Sequence, residues 1–452
     1  MEPPLRMALF TLSIALAVIG NAGWTEGSSL KWQSFNQKAQ STSGKESWGY
    51  VTVRPKAHMF YWLYETTHPA GYEKRPLILW LQGGPGGSGT GFGNFAELGP
   101  LDTNLKPRNT TWLQTASLLF VDNPVGTGFS YVTAENAYTT NLQEICDDLL
   151  VVMTEFTKSF PAFQKTPFYI FSESYGGKMT AGFSAVLYSA IKKGTITMNF
   201  QGLAMGDSWI SPVDSTNSWG PYLYATSIIS WSGLERIGKV AKKVEDLVNK
   251  GEFTEATKAW NELEDVVEVE GSGVNFYNIL QWQGSETKVA KDFSKSHIEL
   301  LFDRHVGSII SDDLDALMNG PIRKKLKIIP DDVEWGGQSG DVFKYQSGDF
   351  MRNVTSTVND LINNTPLKVV VYSGQLDLIC DVLGTESWFF SLDVGKKFKS
   401  GKKKAYPCDG SSICYFGQEL GNVQFYWILN AGHMVPQDNG PGALAMVNKV
   451  IE

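Results

Sequence analysis

The chain has 452 residues, so one large domain with an insertion, or two domains, is expected. Its formal net charge of −8 speaks against nucleic acid or an anionic membrane surface as a partner. A hydrophobic fraction of 42%, with 14 Trp, 17 Tyr and 25 Phe, is ample for a packed core.

Arg6 precedes an apolar run from Met7 to Ile19, and Gly20-Asn-Ala22 offers small residues for cleavage. Residues 1–22 read as a secretory signal peptide, cut after Ala22 or Gly23. The run falls short of the ~20 residues of a spanning helix, and no later stretch qualifies. The mature protein is expected to be soluble, secreted or lysosomal, with no membrane contact. Only four cysteines occur, so this is not a disulfide scaffold. Cys408 and Cys414 flank a turn-like segment and are expected to pair. Asn109, Asn353 and Asn363 open glycosylation sequons and are expected at the surface.

Residues 24–47 are polar and read as irregular. Trp48–Val53 and Met59–Tyr64 are β-rich and read as a hairpin or the antiparallel start of a sheet. Pro76–Leu81 is a continuous apolar run of the kind that central parallel strands show. It ends in Gln82-Gly-Gly-Pro-Gly-Gly-Ser-Gly89, a loop whose backbone N–H groups can approach a ligand. That loop lacks both the lysine of a phosphate loop and the spacing of a dinucleotide fingerprint, so no nucleotide is expected. A second strand, Ser117–Val121, leads into Asp122–Tyr131, another glycine-bearing loop. Leu142, Ile145, Cys146, Leu149, Leu150, Met153 and Phe156 follow at helical spacing, with Thr140 and Gln143 suiting a capping box. Cys146, on that apolar stripe, reads as a buried free thiol.

Phe168–Phe171 is a short buried strand, and Ser172-Glu-Ser-Tyr-Gly176 is a tight turn. A helix pattern starts at Lys178. Strand, serine turn and helix form a nucleophile elbow that lifts the Ser174 hydroxyl above the sheet. The order so far argues for an α/β fold, a mostly parallel sheet with helices on both faces. Residues 212–302 change character: two amphipathic helices are clear, one capped by Ser232 and Glu235, with no strand between them. This reads as a helical cap inserted between core segments 23–211 and 303–452. The sheet resumes at Leu367–Tyr372 and ends at Val423–Leu429. Between them, the lysine-dense stretch 396–404 reads as a solvated loop tip.

A serine nucleophile needs a base and a carboxylate to orient it. On this architecture the order is Ser, then Asp or Glu, then His, each on a loop after a strand. Asp377 and His433 stand just past strong strands in that order. His58 and His68 precede the elbow, and His297 and His305 lie in or beside the insertion.

Taken together these motifs resemble the acid serine carboxypeptidases of the carboxypeptidase Y and cathepsin A type. The resemblance rests on Trp80–Gly86, Glu97–Pro100, Asp122–Tyr131, Ser172–Tyr175, Asp377–Cys380 and Gly432–Pro436, in order over nearly the whole mature chain. It implies an α/β-hydrolase fold and a triad of Ser174, Asp377 and His433. It implies an oxyanion hole from the N–H groups of Gly84 and Tyr175. It also implies that Gln82, Gly83, Glu97 and Glu173 hold the substrate's terminal carboxylate. The expected substrates are peptides or proteins with a free C-terminus, and no metal or other cofactor is needed. Monomer and homodimer are not distinguished. Two neighbouring carboxyls cannot both ionise cheaply, so Glu97 and Glu173 would share a proton at acidic pH and donate to that carboxylate. The resemblance also leaves Cys380 as a free thiol near the substrate, the alternative being a bridge to Cys146.

The chain departs from the family pattern at Gln82 (usually Asn), Gly87 (usually Cys), Ser172 (usually Gly) and Gln375 (often Asp). The extra methylene of Gln82 would shift its amide by about a bond length. Two rival functions on the same fold are an esterase or acyltransferase, and a binding protein that lost efficient chemistry.

Overall fold

A computed structural model describes residues 44–282, 294–408, 410 and 412–452. The expected signal peptide, residues 1–22, therefore lies outside the described residues, as does most of the polar segment after it. The frame is one eleven-stranded sheet. Its strands are β1 (Glu46–Arg54), β2 (Ala57–Tyr64), β3 (Leu77–Leu81), β4 (Ser117–Val121), β5 (Tyr131–Val132), β6 (Pro167–Glu173), β7 (Asn199–Gly206), β8 (Lys368–Gly374), β9 (Lys404–Pro407), β10 (Ile413–Leu420) and β11 (Val423–Ile428). The order is β1-β2-β4-β3-β6-β7-β8-β11-β10-β9, with β5 on β2. The six central strands from β4 to β11 run parallel, and both ends are antiparallel.

The central strands are buried on both faces, which is why they read as unbroken apolar runs. In β3, Leu77, Leu79 and Leu81 join one core cluster, while Ile78 and Trp80 join the other. Helix α1 (Leu142–Ser159) and helix α2 (Tyr175–Lys192) pack on the first face through Ile145, Leu149, Met179 and Phe183. The C-terminal helix Gly440–Ile451 covers the second through Ala443, Met446 and Val447.

Several local expectations shift by a residue or two. The cap of α1 is Asn141, which accepts from the Glu144 N–H, while Glu144 accepts from Thr140; Gln143 instead bonds Asp147. The helix expected from Lys178 begins at Tyr175. In the insertion, Ser230 rather than Ser232 caps the first amphipathic helix. At α1 and at the insertion helix a neighbouring side chain of equal capping chemistry has the reach to the free N–H groups. β7 is a strand that periodicity did not reveal, since its glycines and single glutamine break the apolar run.

Between β7 and β8 the chain is helical: α3 (Pro212–Ala225), α4 (Trp231–Asn249), α5 (Phe253–Glu270), α6 (His297–His305), α7 (Asp312–Leu317), α8 (Arg323–Leu326), α9 (Ser339–Phe350) and α10 (Thr355–Asn364). The helices continue well past residue 302. Cys408 and Cys414 form a disulfide, and Cys146 and Cys380 are free and buried. Asn109, Asn353 and Asn363 are exposed, and the Asn363 amide donates to Asp393. No helix among the described residues is long and apolar enough to cross a membrane.

The crossing of β3 and α2 sets the elbow. A Cβ on Gly176 would lie 2.2 Å from the Leu81 carbonyl oxygen, so only glycine fits there. Gly176→Ala is expected to lower stability by about 1–3 kcal/mol. Gly238→Ala, at an exposed site in α4 with open space around it, is expected to gain up to about 1 kcal/mol. Urea unfolding midpoints of the two variants check both signs.

Candidate active site

The loops after β3, β6, β7, β8 and β11 line one cavity at the carboxyl ends of the parallel strands, where open α/β sheets present their ligand sites. The β6–α2 turn holds Ser174 at φ 61°, ψ −130°, a conformation that non-glycine residues rarely adopt. The turn is pinned from behind: the Ser174 N–H donates to the Asp207 carbonyl at 3.1 Å, and the Trp209 N–H donates to the Ser174 carbonyl at 3.0 Å. A Cβ on Gly83 would stand 2.5 Å from the Ser174 Cβ, so the glycine loop passes directly over the serine. Gly84, at φ +111°, lines the same cavity. Tyr175 is the first residue of α2, so its N–H has no partner inside the helix.

Across from Ser174, His433 Nδ1 lies 2.9 Å from Asp377 Oδ2, which also accepts from the Cys380 N–H at 3.3 Å. Burial pushes the His433 imidazole down to about 4, so the ring is a neutral base over the acid range. Burial also pushes the Cys380 thiol well up, which keeps it protonated and a poor nucleophile. Asp377, Cys380 and His433 place ligand-type atoms within 4.8 Å of one another, but the imidazole–carboxyl hydrogen bond already occupies that cluster.

Beside the serine sits the carboxyl pair. Glu97 ends the π-helical stretch Gly89–Leu98, and Glu173 ends β6. Both are buried and face each other at hydrogen-bonding range. Burial pushes Glu97 up to about 7. Burial, then the charge of Glu97, pushes Glu173 well above the carboxyl range. Both Glu97 oxygens and Glu173 Oε2 find no donor among the described groups, as two facing carboxyls with a proton between them would look without hydrogens. The Gln82 amide is bonded at both ends: its Oε1 accepts from Trp80 Nε1 at 2.7 Å, and its Nε2 donates to Glu173 Oε1 at 2.9 Å. The extra methylene thus spans from the indole to the carboxyl pair. Ser172 sits buried in β6, its hydroxyl 3.4 Å from the Ala204 carbonyl, without distorting the turn.

The chain belongs to the serine carboxypeptidase family. The family model described as serine carboxypeptidase matches residues 36–452. Retinoid-inducible serine carboxypeptidase from Mus musculus is 50% identical over 452 residues, covering 98% of this chain and 97% of that protein. The Homo sapiens protein of that name is 52% identical, over 90% of this chain and 92% of its own length. Serine carboxypeptidase-like 51 from Arabidopsis thaliana is 40% identical, over 91% and 93%. A solved prohormone-processing carboxypeptidase, Kex1 from Saccharomyces cerevisiae, superposes with a TM-score of 0.75 at 20% identity, over 90% of this chain and 91% of that one. That likeness establishes the fold, an α/β-hydrolase.

What reading the sequence missed in this carboxypeptidase is the wall of the cavity. A cavity in front of Ser174 is lined by Trp209, Trp260, Tyr277, His305 and Phe350 besides the loop residues. Trp260 stacks on His305 (centroids 4.8 Å apart) and on Phe350 (4.6 Å). His305 is not free: Nε2 lies 2.7 Å from Glu264 and Nδ1 lies 2.8 Å from the Tyr277 hydroxyl. Segment 276–279 of the insertion is stitched to both reacting loops. The His433 N–H donates to the Tyr277 carbonyl (2.7 Å), Leu378 N–H to that of Phe276 (3.1 Å), and Ile279 N–H to that of Leu376 (2.9 Å). His58, by contrast, stacks on Tyr131 away from the cavity. Only the aromatic content of the insertion could have signalled this wall, because its members come from five separate segments.

Glu264 is fully buried and neutralises Arg304 at 2.7 Å as well as facing His305. Glu264→Ala is expected to cost about 1–3 kcal/mol, since it leaves buried His305 Nε2 without its partner, while Arg304 keeps Asp265 and Glu268 at 3.2 Å. A fall in Tm and in the urea midpoint, with Trp260 fluorescence reporting loosening of the cavity wall, is the measurement.

Proposed function

We propose that this chain is a serine carboxypeptidase that removes C-terminal residues from peptides and proteins through an acyl-enzyme, with an acid optimum. The observation that carries the reading is the buried Glu97–Glu173 pair next to Ser174, a site suited to a terminal carboxylate. Ser174 Oγ attacks the scissile carbonyl carbon while His433 takes the hydroxyl proton on Nε2. Asp377 holds the imidazole in the required tautomer from the Nδ1 side. The N–H groups of Gly84 and Tyr175 receive the developing oxyanion, and losing one such donor costs about 3–4 kcal/mol of transition-state stabilisation. Collapse breaks the C–N bond, and His433 returns the proton to the leaving amine. A water then attacks the acyl carbon, again deprotonated by His433, and the new carboxylic acid leaves as Ser174 regains its proton.

Gln82, Gly83, Glu97 and Glu173 hold the terminal carboxylate. The shared proton makes the glutamates a net donor at acidic pH. Once it is lost, two negative charges face a third and binding fails. The helical insertion from residue 212 caps the site and supplies its aromatic wall. Secretion through the leader at 1–22, glycans on Asn109, Asn353 and Asn363, and a secreted or lysosomal location complete the reading.

The sign of the pH dependence follows from the shifts. As pH falls through about 4, His433 gains a proton and stops acting as a base. As pH rises through about 7 and beyond, the glutamate pair loses its proton. The kcat/KM profile on a free-carboxylate peptide should therefore be a bell between these limits. A flat profile from pH 4 to 8 would sink the shared-proton account. Amidating the C-terminus of the same peptide should cut kcat/KM roughly 10- to 100-fold, the value of a charge-assisted contact. Equal rates would defeat carboxylate recognition. A fluorophosphonate should label wild type and leave Ser174→Ala unlabelled.

A further inference from the structure

Behind Asp377 lies a second acid that the reaction scheme above does not use. Asp207 follows β7 at φ 41° and is fully buried. It is woven between the serine and aspartate loops: its carbonyl accepts the Ser174 N–H (3.1 Å), its N–H donates to the Tyr372 carbonyl (2.9 Å), and its Oδ1 accepts the Gly374 N–H (2.7 Å). Its carboxyl faces that of Asp377 at hydrogen-bonding range. The two remaining oxygens, Asp207 Oδ2 and Asp377 Oδ1, are both buried, and neither has a donor among the described residues. Two ionised carboxylates in that position would leave two orphaned acceptors and an uncompensated repulsion. One proton between them removes both faults.

We propose that Asp207 is a positioning residue that carries a proton on Oδ2 and donates it to Asp377 Oδ1, fixing the carboxylate that orients His433. The side on which the proton rests follows from the contacts. Asp377 Oδ2 faces His433 Nδ1 and accepts the Cys380 N–H, two donors that favour negative charge on Asp377. Asp207 receives a single backbone donor on Oδ1. The titratable groups that face Asp207 are Asp377, His433, Glu173, Tyr372, Tyr222 and Cys380, and none of these is a lysine or arginine. Burial pushes Asp207 well above the carboxyl range, with Asp377 adding to it, which favours the protonated form. When it is lost at higher pH, Asp377 Oδ1 loses its donor and faces a second carboxylate, and the hold on His433 loosens.

This inference rests on Asp377 and His433 activating Ser174, and the test separates the two ideas. The rate of Ser174 labelling by an uncharged fluorophosphonate is measured against pH, so that carboxylate binding by Glu97 and Glu173 plays no part. Asp207→Asn supplies a permanent donor and should match wild type at pH 5, then stay fast at alkaline pH where wild type declines. Asp207→Leu should be slower at every pH by roughly 10- to 100-fold, the value of a hydrogen bond to a charged group. Superimposable profiles for wild type, Asn and Leu would overturn the proposal. Absence of labelling in wild type would instead overturn the triad reading. Infrared spectra of protein carrying isotope-labelled aspartate test the proton without any activity. A protonated-carboxyl band present in wild type at pH 7 and missing in Asp207→Asn is expected, and its absence from wild type would refute the proposal even if the variants fail to fold.

Discussion

Four carboxyl groups, Glu97, Glu173, Asp207 and Asp377, are buried within one loop cluster at the carboxyl ends of the central strands. The imidazole of His433 adjoins this cluster and is itself pushed towards neutrality. A low-dielectric site cannot hold that much like charge, so protons must be retained and shared. The arrangement is two facing pairs, one beside Ser174 and one that includes Asp377. On the proposed reading, substrate binding, alignment of the base and preference for acid would follow from a single electrostatic constraint.

The surrounding framework is built to keep that cluster buried and in register. Asp122, the buried anchor of the second loop, accepts from Ser88 Oγ (2.6 Å), Thr90 Oγ1 (2.7 Å) and the Phe129 N–H (2.9 Å), which ties the glycine loop to its neighbour. On the other side Lys178 pairs with Asp349 at 2.8 Å, and the Tyr175 hydroxyl donates to the same carboxyl at 3.0 Å. The helix bearing the nucleophile is thereby fastened to α9. The backbone bonds of segment 276–279 do the same for the aspartate and histidine loops. Segment 276–279 thus braces the loops that carry Asp377 and His433 and, through Tyr277, lines the cavity.

The departures from the family pattern read differently once neighbours are known. From sequence, Gln82 looks like a misplaced amide. In the fold it bridges Trp80 and Glu173, and Gly93 leaves the room it needs, since a Cβ there would stand 2.5 Å from the Trp80 nitrogen. Ser172 replaces a glycine, but the close approach of strand and helix is carried by Gly176 instead. Asp207 stayed invisible because a single acid after an unrecognised strand has no local signature. Its meaning comes from a carboxyl 170 residues further on.

By itself the sequence determined the strand–turn–helix of the elbow, the two glycine loops, the order Ser174, Asp377, His433 and the alternation of strands and helices. Each is a local pattern: an apolar run, a turn chemistry or a spacing that the backbone must obey wherever it lies. Tertiary structure alone decided the aromatic cavity, the lacing of the insertion to the reacting loops and the second carboxyl pair. These depend on which side chains burial brings together across long stretches of chain, and on the shared protons that burial then requires. A one-dimensional pattern records neither.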